Sequence, residues 1–193
     1  LSSCGIWVVS TLFLVFWYST VIIKNKLESE SLLVLPINAW HLILSNYLIL
    51  IFLGIVQLIL SIIITSTINH DYVSFLNIIL LLILFIPIII ITSSISIILN
   101  CLIKGKIYET VLNIFFFMVI SFGYSSFIPF SFFPEDYVKY INFLPIPGLV
   151  LNTQKIISGE SIMFSYFLIA IFMSIILFFV TLFLFDKKMT KNI

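Results

Sequence analysis

The sequence contains no arginine, two histidines and two cysteines, and only 9% of its 193 residues are charged. A soluble domain carries about 25% charged residues. Here 62% of the residues are hydrophobic and the mean hydropathy is +1.30. That composition excludes a water-soluble globular domain and a disordered chain alike. The net charge of +1 comes without a basic patch to neutralise phosphates, which excludes a nucleic-acid partner. His41 and His70 fall in different loops, on opposite sides of the membrane topology derived below, so they cannot form a metal-ligand cluster. No GxxxxGK[ST] occurs, so this chain does not bind ATP by a phosphate loop. Cys4 and Cys101 lie near opposite membrane faces. A disulfide needs Cα atoms within about 7 Å, so two free thiols are expected.

What is present is a series of continuous apolar runs, each about as long as a bilayer crossing requires. Five are visible, at 6–23, 42–66, 75–99, 110–130 and 162–185. They lack the alternation of barrel strands. The expected architecture is all-α: a polytopic membrane bundle of five transmembrane helices in one domain, 1–193. Lys24 and Lys26 follow the first run, Lys104 and Lys106 the third, and Lys187, Lys188 and Lys191 the fifth. The intervening loops hold only Lys139 and Lys155. By the positive-inside rule the N-terminus is outside and the C-terminus cytoplasmic. That start, at Leu1 rather than Met, suits a fragment lacking an upstream span.

The runs hold no Asp, Glu, Lys or His at depth; His41 and Glu109 sit at span edges. Intramembrane ionisable groups mark proton relays and catalytic sites. Their absence from the runs argues against a proton-coupled carrier and a membrane enzyme. Polar uncharged residues do occur: Gln57 and Ser61 in the second run, Thr92, Ser93 and Ser96 in the third, Ser121 in the fourth. They can line a translocation path, or they can serve helix–helix packing and bond back to carbonyls. Pro87 is expected to kink the third run, with the nearby hydroxyls serving the freed backbone groups.

Two loops carry pattern. In 24–36, Leu27, Ser31, Val34 and Leu35 can share one helical face, with Lys26, Glu28 and Glu30 turned away, and Pro36 stops the helix. This segment is either an interfacial connector or a docking helix for a cytosolic partner. In 131–160, Pro134 suits a first helical turn, with Glu135 and Asp136 following where the dipole favours acids. Pro145, Pro147 and Gly148 are expected to break the chain, and Leu149–Ser158 to form a second short helix ended by Gly159. Two short helices around a break suggest an external re-entrant hairpin.

These loops, in this order, resemble those of the membrane subunits of ATP-binding-cassette exporters of the type-2 permease superfamily. That family carries E-[RK]-E-x-G-T-L-E-x-L-L-x-x-P-[IV] after its second span. Glu30-Ser31-Leu32-Leu33-Val34-Leu35-Pro36-Ile37 is similar to the second half, while Asn25, Leu27, Glu28 and Ser29 depart from the first. The stretch from Leu144 to Gly159 is most similar to the sodium-extrusion permease subgroup. The resemblance implies an export permease in a bacterial cytoplasmic membrane. It implies a cytosolic ATPase subunit that holds ATP and Mg, and a second permease copy or related subunit beside this one. The chain itself would be no enzyme and would bind no cofactor. Coupling would fall to Glu28, Glu30, Leu32, Leu33 and Pro36. A non-catalytic immunity, anchoring or assembly factor fits the composition equally.

Overall fold

The computed structural model describes residues 2–28, 38–69, 73–102, 106–124, 126–128, 132–141 and 144–191. Among them there is no strand. The helices are α1 (Ser2–Glu28), α2 (Ala39–Asn69), α3 (Phe75–Leu102), α4 (Lys106–Met118), α5 (Glu135–Ile141), α6 (Pro145–Ser158) and α7 (Phe164–Lys191). A π-helical turn, Val119–Gly123, continues α4. Four helices, α1, α2, α3 and α7, are long and apolar enough to cross a membrane. The chain therefore reads as a multi-pass membrane protein.

The spans begin and end near where the apolar runs place them, because nothing inside each run interrupts a helix. The fourth run differs. Its apolar helix covers Thr110–Gly123, short of the expected 130. Just beyond the π turn the Phe127 N–H donates to the Ser121 carbonyl at 3.2 Å.

α3 is the centre of the bundle and packs against α1, α2, α6 and α7. Its middle, Pro87 to Ser94, is almost continuously buried. The helix runs on through Pro87 from Phe75 to Leu102. Proline leaves the carbonyl four residues upstream, that of Ile83, without its helical donor. The nearby hydroxyls do not fill that role. Thr92 bonds to the Ile88 carbonyl, and Ser93 and Ser94 to that of Ile90.

Gly54 sits where α1, α2 and α3 converge. A Cβ there would lie 2.6 Å from the Ile89 Cδ1 and 3.1 Å from the Val15 Cγ2. Val15, Gly54 and Ile89 are each at or beside the middle of their apolar spans. A residue without a side chain at this point lets three backbones approach at mid-depth. α4 attaches to the outside of α1 through aromatic rings. Phe16 stacks on Phe116 at 3.8 Å, and Phe13 meets Phe117 edge-on at 5.1 Å.

Candidate functional site

Three features could serve function: the polar residues within the spans, the lysine-bearing end of the bundle, and the lodged helix α6.

The polar residues form two interhelical seams. In the first, the Trp7 indole N–H donates to the Thr65 hydroxyl at 2.6 Å, and the Ser10 and Ser61 hydroxyls pair at 2.9 Å. Gln57 donates to Ser61 at 3.3 Å. In the second, Ser19 bonds to the Ser93 carbonyl, Thr20 pairs with Ser96 at 3.0 Å, and Ser96 also bonds to the Phe16 carbonyl. Tyr47 and Ser94 pair at 2.7 Å. The structure thus brings Gln57 together with Ser61, and Ser93 together with Ser96. It separates these pairs, and it places Thr92 on its own helix's carbonyl. Ser121 is elsewhere, fully buried in the π turn, its hydroxyl without a hydrogen-bond partner among the described residues. In this arrangement the hydroxyls of the two seams join helices, as small polar side chains do in membranes.

The second feature is the end where α1 stops and α2 begins. Lys26 Nζ donates to the Leu42 carbonyl at 3.1 Å, the Ser45 Oγ at 3.1 Å and the Asn46 Oδ1 at 2.6 Å. Lys188, near the end of α7, donates to the Asn100 and Cys101 carbonyls at 2.8 and 3.0 Å. Those carbonyls belong to the last turn of α3, which has no intrahelical donors left to meet them. One lysine therefore clamps α1 to α2, and another clamps α7 to α3, at the same end of the bundle. Of the expected coupling residues, Glu28 is the last residue of α1. Glu30, Leu32, Leu33 and Pro36 lie outside the described residues. Cys101 lies at this end with a free thiol, and Cys4 is free and buried at the other.

The third feature is α6, where the structure corrects one expectation. Pro145, Pro147 and Gly148 do not break the chain. They form the first turn of α6, which starts at Pro145 and not Leu149. The first N–H groups of a helix have no intrahelical acceptor, so two prolines there cost nothing. Gly159 ends the helix as expected, with φ at 74° in the left-handed region and its N–H on the Ile156 carbonyl. α5 also follows expectation: Pro134 precedes it, and Glu135 and Asp136 occupy its first turn.

α6 is packed inside the bundle against α1, α3 and α7. Pro145 through Val150, Asn152, Thr153 and Ile156 are buried. Its C-terminal part is tied near the start of α3, where the Asn77 amide donates to the Ile156 carbonyl at 3.2 Å. Its first turn, with Pro145 and Gly148, lines a narrow gap with Leu84 and Ile88 of α3 and Tyr166 and Ala170 of α7. Ile88 lies about 16 Å further along α3 than Asn77. Gly148 makes this closeness possible, since a Cβ there would come 2.9 Å from the Tyr166 ring.

Asn152 fixes the other end of the connection. Its Oδ1 accepts the Met163 N–H at 2.9 Å, and its Nδ2 donates to the Met163 carbonyl at 3.2 Å. One side chain thereby serves both polar groups of the residue that precedes α7. Sequence reasoning did not single out Asn152, Asn77, Lys26 or Lys188 for these roles. For the lysines a signal existed, since basic residues near helix ends commonly meet terminal carbonyls. For the asparagines none did.

No family model, curated protein or solved structure matches this chain.

Proposed function

We propose that this chain is a permease subunit of an ATP-binding-cassette exporter, moving cargo across a cytoplasmic membrane on ATP hydrolysed by a separate subunit. The observation that carries the reading is α6, a short helix lodged between spans, with its first turn level with the middle of α3. Together with α5 it supports the re-entrant hairpin that the resemblance implies. α4 and its π turn, Thr110–Gly123, would then supply a fifth membrane-embedded helix.

Three further features support the reading. The lysine-bearing end suits the cytoplasmic face. The expected coupling segment joins α1 to α2 in sequence at that end, and the Lys26 clamp ties those two helices together. A helix docked on an ATPase there would pull on two spans at once. The three converging midpoints at Gly54 would carry such a movement into the bundle as a repacking of rigid elements. Alternating access would come from that repacking, in a pair of permease copies, with ATP and Mg held by the ATPase.

The test is charge reversal in the coupling segment. Glu30→Lys should leave membrane insertion and ATP hydrolysis in place while cargo export stops. Normal export by that variant, measured in membrane vesicles, contradicts the reading.

A further inference from the structure

We propose that the recess between the start of α2 and the end of α7 is a site for one phospholipid whose headgroup ends in an ammonium. This goes beyond the transport reading. It rests only on the chain's crossing a membrane, and it stands whether or not an ATPase is served.

The recess has a volume of about 430 Å³ and is lined by Asn38 and Trp40 on one side and by Leu182, Phe183 and Asp186 on the other. It lies at the lysine-bearing end, where the apolar span of α2 begins and that of α7 finishes. Leu182 and Phe183 precede Asp186 by four and three residues, so all three share one face of α7. The exposed carboxylate is one turn nearer the membrane surface than the two apolar side chains. Across the recess the Trp40 ring meets Phe178 edge-on at 5.4 Å. Phe178 lies about 12 Å deeper along α7 than Asp186. Trp40 is 45% exposed, and its indole N–H has no hydrogen-bond partner among the described residues. The wall therefore changes with depth, from a carboxylate at the rim to an indole N–H and then to aromatic and aliphatic carbon.

A phospholipid with an amine headgroup has the same order. Its ammonium meets the Asp186 carboxylate, and its phosphate accepts hydrogen bonds from the Trp40 indole and the Asn38 amide. Its acyl chain lies on Phe183 and Leu182. Tryptophan suits this depth, where its ring is in carbon and its N–H at the headgroups. Charge selects the headgroup. An anionic lipid without an amine would bring its phosphate to a carboxylate with no cation between them. Lys26 and Lys188, at the same end, are turned to backbone carbonyls of α2 and α3. Lys187 is exposed about 100° around α7 from Asp186. A soluble amine would leave the apolar wall bare, so the occupant is a lipid.

The experiment uses the full-length protein in mild detergent, with equal amounts of phosphatidylethanolamine and phosphatidylglycerol added. The lipid that stays bound is read by native mass spectrometry. The protein should retain one phosphatidylethanolamine with about fivefold preference, the effect of one well-placed ion pair. Asp186→Asn should retain the two lipids equally, and Asp186→Glu should keep the preference. Asp186 is exposed, so neither change disturbs the packed bundle. Trp40→Phe, which keeps a ring and loses the N–H, should lower retention of both lipids alike. Equal retention by the unaltered protein, a preference for phosphatidylglycerol, or no retained lipid overturns the proposal. So does a preference that survives Asp186→Asn, or binding of soluble phosphoethanolamine as tight as that of the lipid. None of these outcomes bears on whether an ATPase binds.

Discussion

Gly54→Leu is expected to destabilise the bundle by about 3 kcal/mol, the upper range for forcing a large side chain into a packed core. The size of the effect follows from what surrounds the position. Ile89 and Val15 already occupy the space where a Cβ would begin. Gly54→Ala should cost far less, because the nearest atom, the Ile89 Cδ1, is the free end of a flexible side chain. Leucine adds three more carbons and has nowhere to go except between the midpoints of α1 and α3. The apparent unfolding temperature of the detergent-solubilised protein checks both variants. A Gly54→Leu protein as stable as the parent would mean that the three midpoints do not meet.

Asn152→Leu is expected to cost a similar amount, about 3 kcal/mol, by a different route. It leaves the Met163 N–H and carbonyl without their partner at the buried Asn152 position, and an unmet buried polar group costs about 1–3 kcal/mol. Leucine keeps the branching of asparagine but is bulkier, so the size-conserving Asn152→Asp separates the lost hydrogen bond from packing. Asn152→Asp keeps the acceptor for the Met163 N–H and loses the donor to its carbonyl. It should fall between the parent and Asn152→Leu. The more local readout is amide exchange in α6, which should quicken in Asn152→Leu while α2 keeps its protection. Uniform quickening across the bundle would show that α6 does not move as a separate piece.

Much of the fold was legible because membrane crossings are written as long apolar runs. Four of the five runs became helices of spanning length. The fourth run became a shorter apolar helix, Thr110–Gly123, a limit that hydropathy alone does not mark, since Phe127, Ile128 and Phe130 follow it. The end of α6 was legible from Gly159, whose freedom at positive φ marks a helix stop. Its beginning was not. Proline and glycine signal breaks in a helix interior, but the same residues are tolerated in a first turn, and local sequence does not say which case holds. The depth of α6 is a tertiary fact, fixed by Gly148 against Tyr166 and by Asn77 and Asn152. The polar residues of the spans were visible as a set, but their pairing depends on which helices are neighbours. Ser93 and Ser96 stand out in the sequence as polar within an apolar run, and only the structure shows that they lie against α1. The coupling residues Glu30, Leu32, Leu33 and Pro36 follow from a pattern of the sequence alone, since they lie in a segment outside the described residues.

The most direct measurement is therefore made at that segment. A photo-crosslinking residue is placed at Ser29 in the full-length protein, which is then irradiated in its own membranes, purified in mild detergent and examined for what has been captured. An exporter permease is expected to carry a cytosolic phosphate-loop ATPase attached at that position, in stoichiometric amount. Capture of lipid or of the same chain alone, with no ATPase in the preparation, would contradict the exporter reading and leave a membrane protein that works without one.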